Sequence, residues 1–160
     1  MSKVLVAYFS ATGVTAKVAA ELAKAEKADL FEIKPENPYS AADLDYKVKD
    51  CRSNLEMADE ACRPAISTKV DNIEQYGVVF VGFPVWWGRE PSIIDTFLES
   101  YSLDGKTIIP FCTSGMSDAA KATEHIKGIL GDKVIVEAGK RLGAEGTEEE
   151  VKLWTELLSL

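Results

Sequence analysis

Apolar residues fall along this chain in two alternating rhythms. Lys3-Val4-Leu5-Val6-Ala7-Tyr8-Phe9 reads as a buried strand, and Val14, Val18, Leu22 and Ala23 then recur at helical spacing toward Lys27. Leu30-Phe31-Glu32-Ile33 alternates as a short second strand, after which Lys34-Pro35-Glu36-Asn37-Pro38 interrupts regular structure. From Tyr39 to Ala61 the residues are polar and helix-compatible, with only Leu44, Val48, Leu55 and Met57 as apolar points. This predicts one or two surface helices in an excursion from Lys34 to Gly77, closed by Arg63-Pro64. Excursions of such length usually cover a site or meet a partner.

The rhythm then resumes. Val78-Val79-Phe80-Val81-Gly82-Phe83 is continuously apolar, as a parallel strand buried on both faces must be. A helix follows, with Pro91 at its first position and Ile94, Phe97, Leu98 and Tyr101 on one face. Thr107 to Cys112 predicts a fourth strand, although Pro110 inside it cannot donate to a ladder and so marks a bulge, a sheet end or a shifted boundary. Ser117 is placed to cap a helix carrying Ala122, Ile126, Ile129 and Leu130. Val134-Ile135-Val136 is a short fifth strand. Thr147-Glu148-Glu149-Glu150 reads as a capping box opening a last helix with Val151, Trp154, Leu157 and Leu158 inward. Such alternation predicts an α/β fold: a three-layer α/β/α sandwich on a five-stranded parallel sheet in the order 2-1-3-4-5. That order lines up the loops after strands 1, 3 and 4 along one edge.

Composition narrows the functional classes. With 160 residues, 46% hydrophobic and 28% charged, the sequence suits one globular domain over 1–160. No apolar run approaches the roughly 20 residues of a membrane span, and Met1-Ser2-Lys3 leads into a strand without a signal-peptide pattern. Cys51, Cys62 and Cys112 include no CxxC pair, which suits a reducing cytoplasm and argues against a disulfide framework or a zinc site. A net charge of -8 disfavours nucleic acid and anionic membranes, and suits a partner with a basic docking face.

The three aligned loops hold the unusual residues. The first, Ser10-Ala11-Thr12-Gly13-Val14-Thr15, is hydroxyl-rich, uncharged and opens a helix. Free N–H groups and the helix dipole can hold a phosphate there, and Gly13 lets it approach the backbone. A plain helix cap by Ser10 or Thr12 is the competing reading. The second, Pro84-Val85-Trp86-Trp87-Gly88, puts paired tryptophans at the mouth of a crevice. Adjacent side chains diverge, so Trp86 is expected inward and Trp87 as a cover; a core or rim plug is the alternative. The third, Thr113-Ser114-Gly115, offers hydroxyls and backbone, or is simply a helix-entry turn. A phosphate, a flat apolar face and a polar ring edge fit the loops in turn, and flavin mononucleotide (FMN) has that shape. There is no G-x-x-x-x-G-K-[ST] and no G-x-G-x-x-G after the first strand. Ser10 and Pro84 stand where a phospho-acceptor domain would need acids.

These motifs resemble those of the flavodoxin family over nearly the whole chain. Ser10 to Thr15 is similar to the S/T-x-T-G-x-T phosphate loop, and Pro84 to Gly88 with Thr113 to Gly115 are similar to the flavin-ring loops of a bacterial subfamily. The resemblance implies phosphate contacts from Ser10, Thr12, Gly13, Val14 and Thr15. It implies ring contacts from Pro84, Val85, Trp86, Trp87 and Gly88 and from Thr113, Ser114 and Gly115. Val14 replaces a usual asparagine, Met116 a common glycine, and the third loop lacks a stacking tyrosine. The expected function is electron transfer by an FMN-binding redox protein with a protein partner. The alternatives are an NAD(P)H-dependent reductase of quinones or similar acceptors, and a non-redox phosphate-ligand module. No metal site and no catalytic residue is expected: His125 is placed on a helix away from the loops, and Cys112 in a buried strand. Tyr39 is a candidate to reach the ring edge.

Overall fold

A computed structural model describes residues 3–114, 117–143, 148–158 and 160. The elements are β1 (Lys3–Tyr8), α1 (Val14–Glu26), β2 (Asp29–Glu32), α2 (Arg52–Ala58), β3 (Tyr76–Pro84), α3 (Ser92–Glu99), β4 (Thr107–Thr113), α4 (Ala120–Leu130), β5 (Ile135–Val136), β6 (Lys140–Leu142) and α5 (Glu148–Leu158). The strands pair in parallel in the order β2-β1-β3-β4-β5, the expected topology, with β6 also pairing β4. One core, on the side of α3 and α4, gathers Phe9, Val79, Val81, Phe83, Ile94, Phe97 and Ile126. The other, beneath α1 and α5, gathers Val6, Val18, Leu22, Phe80, Phe111 and Trp154. Alternate residues of β3 thus serve opposite faces, which is why the strand is apolar throughout.

The sixth strand explains Pro110. β5 pairs with Thr107 and Ile108, and β6 with Phe111, Cys112 and Thr113, so two short segments share one edge position. The carbonyls of Lys106 and Ile108 accept from the N–H groups of Ile135 and Glu137 at 3.0 and 2.9 Å. Backbone direction alternates along a strand, so the nitrogen of Pro110 faces this same outer edge, where the edge is broken between β5 and β6. Gly139 fills the break: a Cβ there would lie 2.6 Å from Thr123 Oγ1 and 3.3 Å from Pro110 Cβ. The missing donor therefore costs no ladder bond.

Several boundaries differ from the sequence expectation. The excursion holds one seven-residue α-helix, α2, and a three-residue 3-10 turn at Ile73–Gln75, and is pinned by an antiparallel bridge between Pro35 and Ile66. Sparse apolar points gave little to bury, so hydrogen-bonded turns replace a second helix. Pro91 precedes α3 rather than opening it. Ser117 does not cap α4: its N–H donates to Ser114 Oγ at 2.9 Å, while Asp118 accepts from the Ala120 N–H at 3.0 Å. In α5, Val151 and Trp154 are buried but Leu157 is 84% exposed. Thr147, and with it the expected capping box, lies outside the described residues.

Gly82 of β3 pairs with Phe111 of β4, whose ring lies over the glycine, and an added Cβ would fall inside the van der Waals shell of that ring. Because Phe111 is itself fully buried, Gly82→Ala is expected to destabilise the fold by about 1–3 kcal/mol, read from urea unfolding midpoints.

Candidate functional site

The first loop ends a strand and starts a helix without a side-chain cap. Ser10 Oγ accepts from the Gly13 N–H at 3.0 Å, and Gly13 turns the chain at φ 95°. Neither Ser10 nor Thr12 caps α1, and no acidic residue lies in its first turn. The first backbone bond into the helix runs from Lys17 N–H to Gly13 O at 3.2 Å. The N–H groups of residues 14 to 16 therefore face out of the helix end, where the dipole favours an anion. Space above Gly13 is open, and Thr12, Gly13 and Val14 are exposed. Thr15 points elsewhere: it is buried, and its hydroxyl lies 2.8 Å from the buried hydroxyl of Thr113. That bond ties the first turn of α1 to the end of β4.

The second loop is a two-residue hairpin turn. Trp86 N–H donates to Arg89 O at 2.9 Å and Arg89 N–H to Trp86 O at 3.1 Å. Trp87 and Gly88 have φ of 54° and 77°, the pair of positive values that a type I′ turn demands. Positive φ is costly for a bulky residue such as Trp87. The turn projects its indole outward, 63% exposed, with Nε1–H donating to Asn54 Oδ1 at 3.1 Å. Trp86 goes the other way and packs edge-on against Phe9 and Tyr39, with ring centroids 5.6 and 5.3 Å away. The two indoles thus diverge. Tyr39 is held by the Arg52 guanidinium 3.8 Å above its ring, and its hydroxyl donates to Glu56. Burial and the Glu56 carboxylate push that hydroxyl far above the usual phenol range.

In the third loop, Thr113 ends β4 and Ser114 O accepts from Arg141 Nε at 2.9 Å, which anchors the loop to β6. Gly115 and Met116 lie outside the described residues.

A cavity of about 460 Å³ joins the loops. Ala11 and Thr12 line it from the first, Pro84, Val85, Trp86 and Trp87 from the second, and Thr113 from the third. Leu44, Tyr46, Ser53 and Asn54 of the excursion complete the wall. Among the described residues, none that lines it carries a charge. Ser10 instead lines an adjoining cavity with Phe9, Ala11 and Tyr39. Gly88 faces α4, where a Cβ would meet Lys121 Cδ at 3.6 Å. Gly13, Val14 and Ser114 stand outside the lining. The excursion residues escaped the sequence reading because nothing in their local pattern distinguishes them from surface; the length of the excursion was the only signal. His125 is closer than expected, its Nε2 lying 3.1 Å from Nη1 of Arg89, the last residue of the tryptophan turn.

Comparison places this geometry among known proteins. The family model described as flavodoxin matches residues 3–158. A structure from Bacteroides eggerthii, described as a candidate flavoprotein, is 43% identical with a TM-score of 0.93, covering 100% of this chain and 99% of that one. A second candidate flavoprotein, from Bacteroides uniformis, is 41% identical with a TM-score of 0.93, covering 97% and 98%. A flavoprotein from Lactobacillus acidophilus, solved in complex with FMN, is 24% identical with a TM-score of 0.76, covering 97% and 99%. No curated protein sequence matches the chain.

The Thr15–Thr113 bond yields a specific expectation. Thr113→Val strands the Thr15 hydroxyl in a buried site and is expected to cost about 1–3 kcal/mol, whereas Thr15→Val combined with Thr113→Val restores part of that loss. Urea unfolding of the two single variants and the double variant measures the coupling.

Proposed function

Because the chain belongs to the flavodoxin family, we propose that it binds FMN at the three loops and works as an electron-transfer protein. The observation that carries this reading is the uncharged cavity lined by all three loops beside an uncapped, acid-free helix start. The residues present fit the cofactor. The outward N–H groups of residues 14 to 16, with Ser10, Thr12 and the open space over Gly13, suit a phosphate without any lysine or arginine. Val14 and Thr15 contribute only their backbone N–H groups, the Thr15 hydroxyl being held by Thr113 as a strut between loops. Pro84, Val85, Trp86 and Trp87, which line the cavity, suit the ring face, and Gly88 serves by completing the turn that projects Trp87. Thr113, which lines the cavity, suits its polar edge, and Ser114 and Gly115 are assigned there by the family resemblance. A volume of about 460 Å³ is within the usual range of ligand pockets. FMN, when bound, supplies the redox chemistry. The flavoprotein complex from Lactobacillus acidophilus supports the choice of cofactor.

The protein's part is to bind, orient and shield. Trp87, held at the cavity by its turn and by Asn54, would keep water from a bound ring. The net charge of -8 disfavours added negative charge in the site and steers the molecule toward a partner with a basic face. Cys51, Cys62 and Cys112 are all free, which supports a cytoplasmic setting. Among the described residues no helix is long and apolar enough to cross a membrane.

A second reading, an NAD(P)H-dependent reductase of quinones or similar acceptors, is favoured by one observation: Leu44, Tyr46, Ser53 and Asn54 extend the cavity wall beyond the three loops. The purified protein is expected to bind one FMN, with quenching of flavin fluorescence, and Trp87→Ala to weaken binding roughly tenfold, about 1.4 kcal/mol. Protein that stays colourless after incubation with FMN sinks both readings. Anaerobic NADPH without a partner reductase should leave the flavin absorbance intact; direct bleaching would select the reductase.

A further inference from the structure

On the far side of Trp87 lies a polar cluster that the flavin site does not use. Glu90, just past the tryptophan turn, and Asp95, in α3, are both 0% exposed. Glu90 Oε1 and both carboxyl oxygens of Asp95 have no hydrogen-bond partner. The remaining oxygen, Glu90 Oε2, lies 2.6 Å from His125 Nδ1 of α4. His125 Nε2 lies 3.1 Å from Arg89 Nη1 and 3.3 Å from Glu60 Oε1. A guanidinium only donates and a carboxylate only accepts, so Nε2 accepts when it faces Arg89 and, once protonated, donates to Glu60, while in both states Nδ1 carries a proton and donates it to Glu90.

The surrounding charges leave one proton's place to fill. Arg89 Nη2 is 3.9 Å from Asp95 Oδ2, and its Nε is 3.6 Å from Glu90 Oε1. Arg63 Nη1 stands 4.0 Å from Asp95 Oδ2, but that guanidinium is hydrogen-bonded to Glu99 at 2.7 and 3.2 Å. His125 Nδ1 is 3.9 Å from Asp95 Oδ1. Ligand atoms of Glu90, Asp95 and His125 all lie within 4.8 Å of one another. Two ionised carboxylates at that range in a dry site repel, and neither can donate to the other. A proton on Asp95 turns it into a donor toward Glu90 and gives partners to two of the three orphaned oxygens.

We propose that Glu90, Asp95 and His125 form a proton relay, in which the carboxyl pair shares one proton and His125 exchanges it with solvent. The solvent side is a cavity of about 570 Å³ lined by His125, Glu60, Arg89, Lys121, Glu124 and Trp87. Transfer is balanced without redox chemistry: Nε2 takes a proton from water as Nδ1–H passes its own to Glu90 Oε2, and the reverse sequence releases it. Burial raises the affinity of Asp95 for its proton to about 8, the bond to Glu90 and its charge acting the same way, while His125 and Arg89 oppose. Burial also raises Glu90. A divalent cation would have to displace both the Nδ1 proton and the Arg89 guanidinium from the same atoms. Arg89 closes the turn that carries Trp87, so loss of the shared proton draws the guanidinium toward the carboxyl pair and off His125.

The relay owes nothing to the flavin, so its test uses the full chain without added FMN. Carbon-13 NMR of the side-chain carboxyls should show one group of the Glu90–Asp95 pair still protonated at neutral pH, titrating near 8. A raised folded-state pKa stabilises below the ordinary carboxylate range and the benefit is lost as pH rises through about 8. The urea midpoint of the wild type should therefore fall over that window. Asp95→Asn, neutral and isosteric, should remove most of this slope and exceed the wild type in alkaline buffer. Trp87 emission should titrate with the pair, by comparison with Trp87→Phe. Ordinary carboxylate titration of both groups overturns the relay. So does a saturable rise in melting temperature with zinc or manganese ions at neutral pH, which would make the cluster a metal site.

Discussion

The register of three parallel strands sets everything that happens at the site. Tyr8 lies beside Gly82 and Gly82 beside Phe111, so β1, β3 and β4 run out together and release their loops on one line. That register depends on a side-chain arrangement. The Phe111 ring occupies the space over Gly82, and the Thr15–Thr113 bond joins helix to strand end just beyond. A slip of one residue would turn the apolar faces of these strands over and separate the loops. Loop geometry is thus a consequence of packing in the sheet, one layer below the residues that would meet a ligand.

Charge is divided sharply across the tryptophan turn. On one side the cavity is walled by aromatic, aliphatic and neutral polar groups. On the other, within the reach of one arginine, stand two buried acids and a histidine. Trp87 lines both spaces, and its strained backbone is held by Asn54 at the ring and by the Trp86–Arg89 bonds at the base. A residue at positive φ persists only where its surroundings over-determine it. Here the surroundings are a turn closed at one end by a charged residue, which makes the indole a junction between an electrically quiet pocket and a titratable one.

Much of this was legible in the sequence because the strongest signals are periodic. Continuous apolar runs gave β1, β3 and β4, helical spacing gave α1 and α4, and alternation gave the topology. The divergence of Trp86 and Trp87 followed from neighbouring side chains pointing apart. What escaped depends on contacts between residues far apart in the chain. Pro110 made sense only beside Gly139, and β6 is too short to carry a pattern of its own. Leu44 and Asn54 join the cavity through turns held by side-chain hydrogen bonds. His125 looked remote because its partners Glu90 and Asp95 lie on a different helix and its approach. Leu157 fits an inward helical face by spacing alone, yet within α5 it turns to solvent while its neighbour Leu158 packs on the core.

The divided outer edge carries a consequence for life at high concentration. An exposed sheet margin of even length invites a second chain to add a strand, the first step toward fibrous association. Here that margin is cut into pieces of two and three residues, with a kink between them where Pro110 offers no donor and Gly139 tucks against Thr123. Among the described residues, each piece of that margin offers a neighbouring strand only two or three residues to pair with. The opposite margin, β2, is only four residues long and carries Asp29 and Glu32. An unusual proline next to the sheet margin thus coincides with the place where that margin is broken into pieces shorter than an ordinary strand.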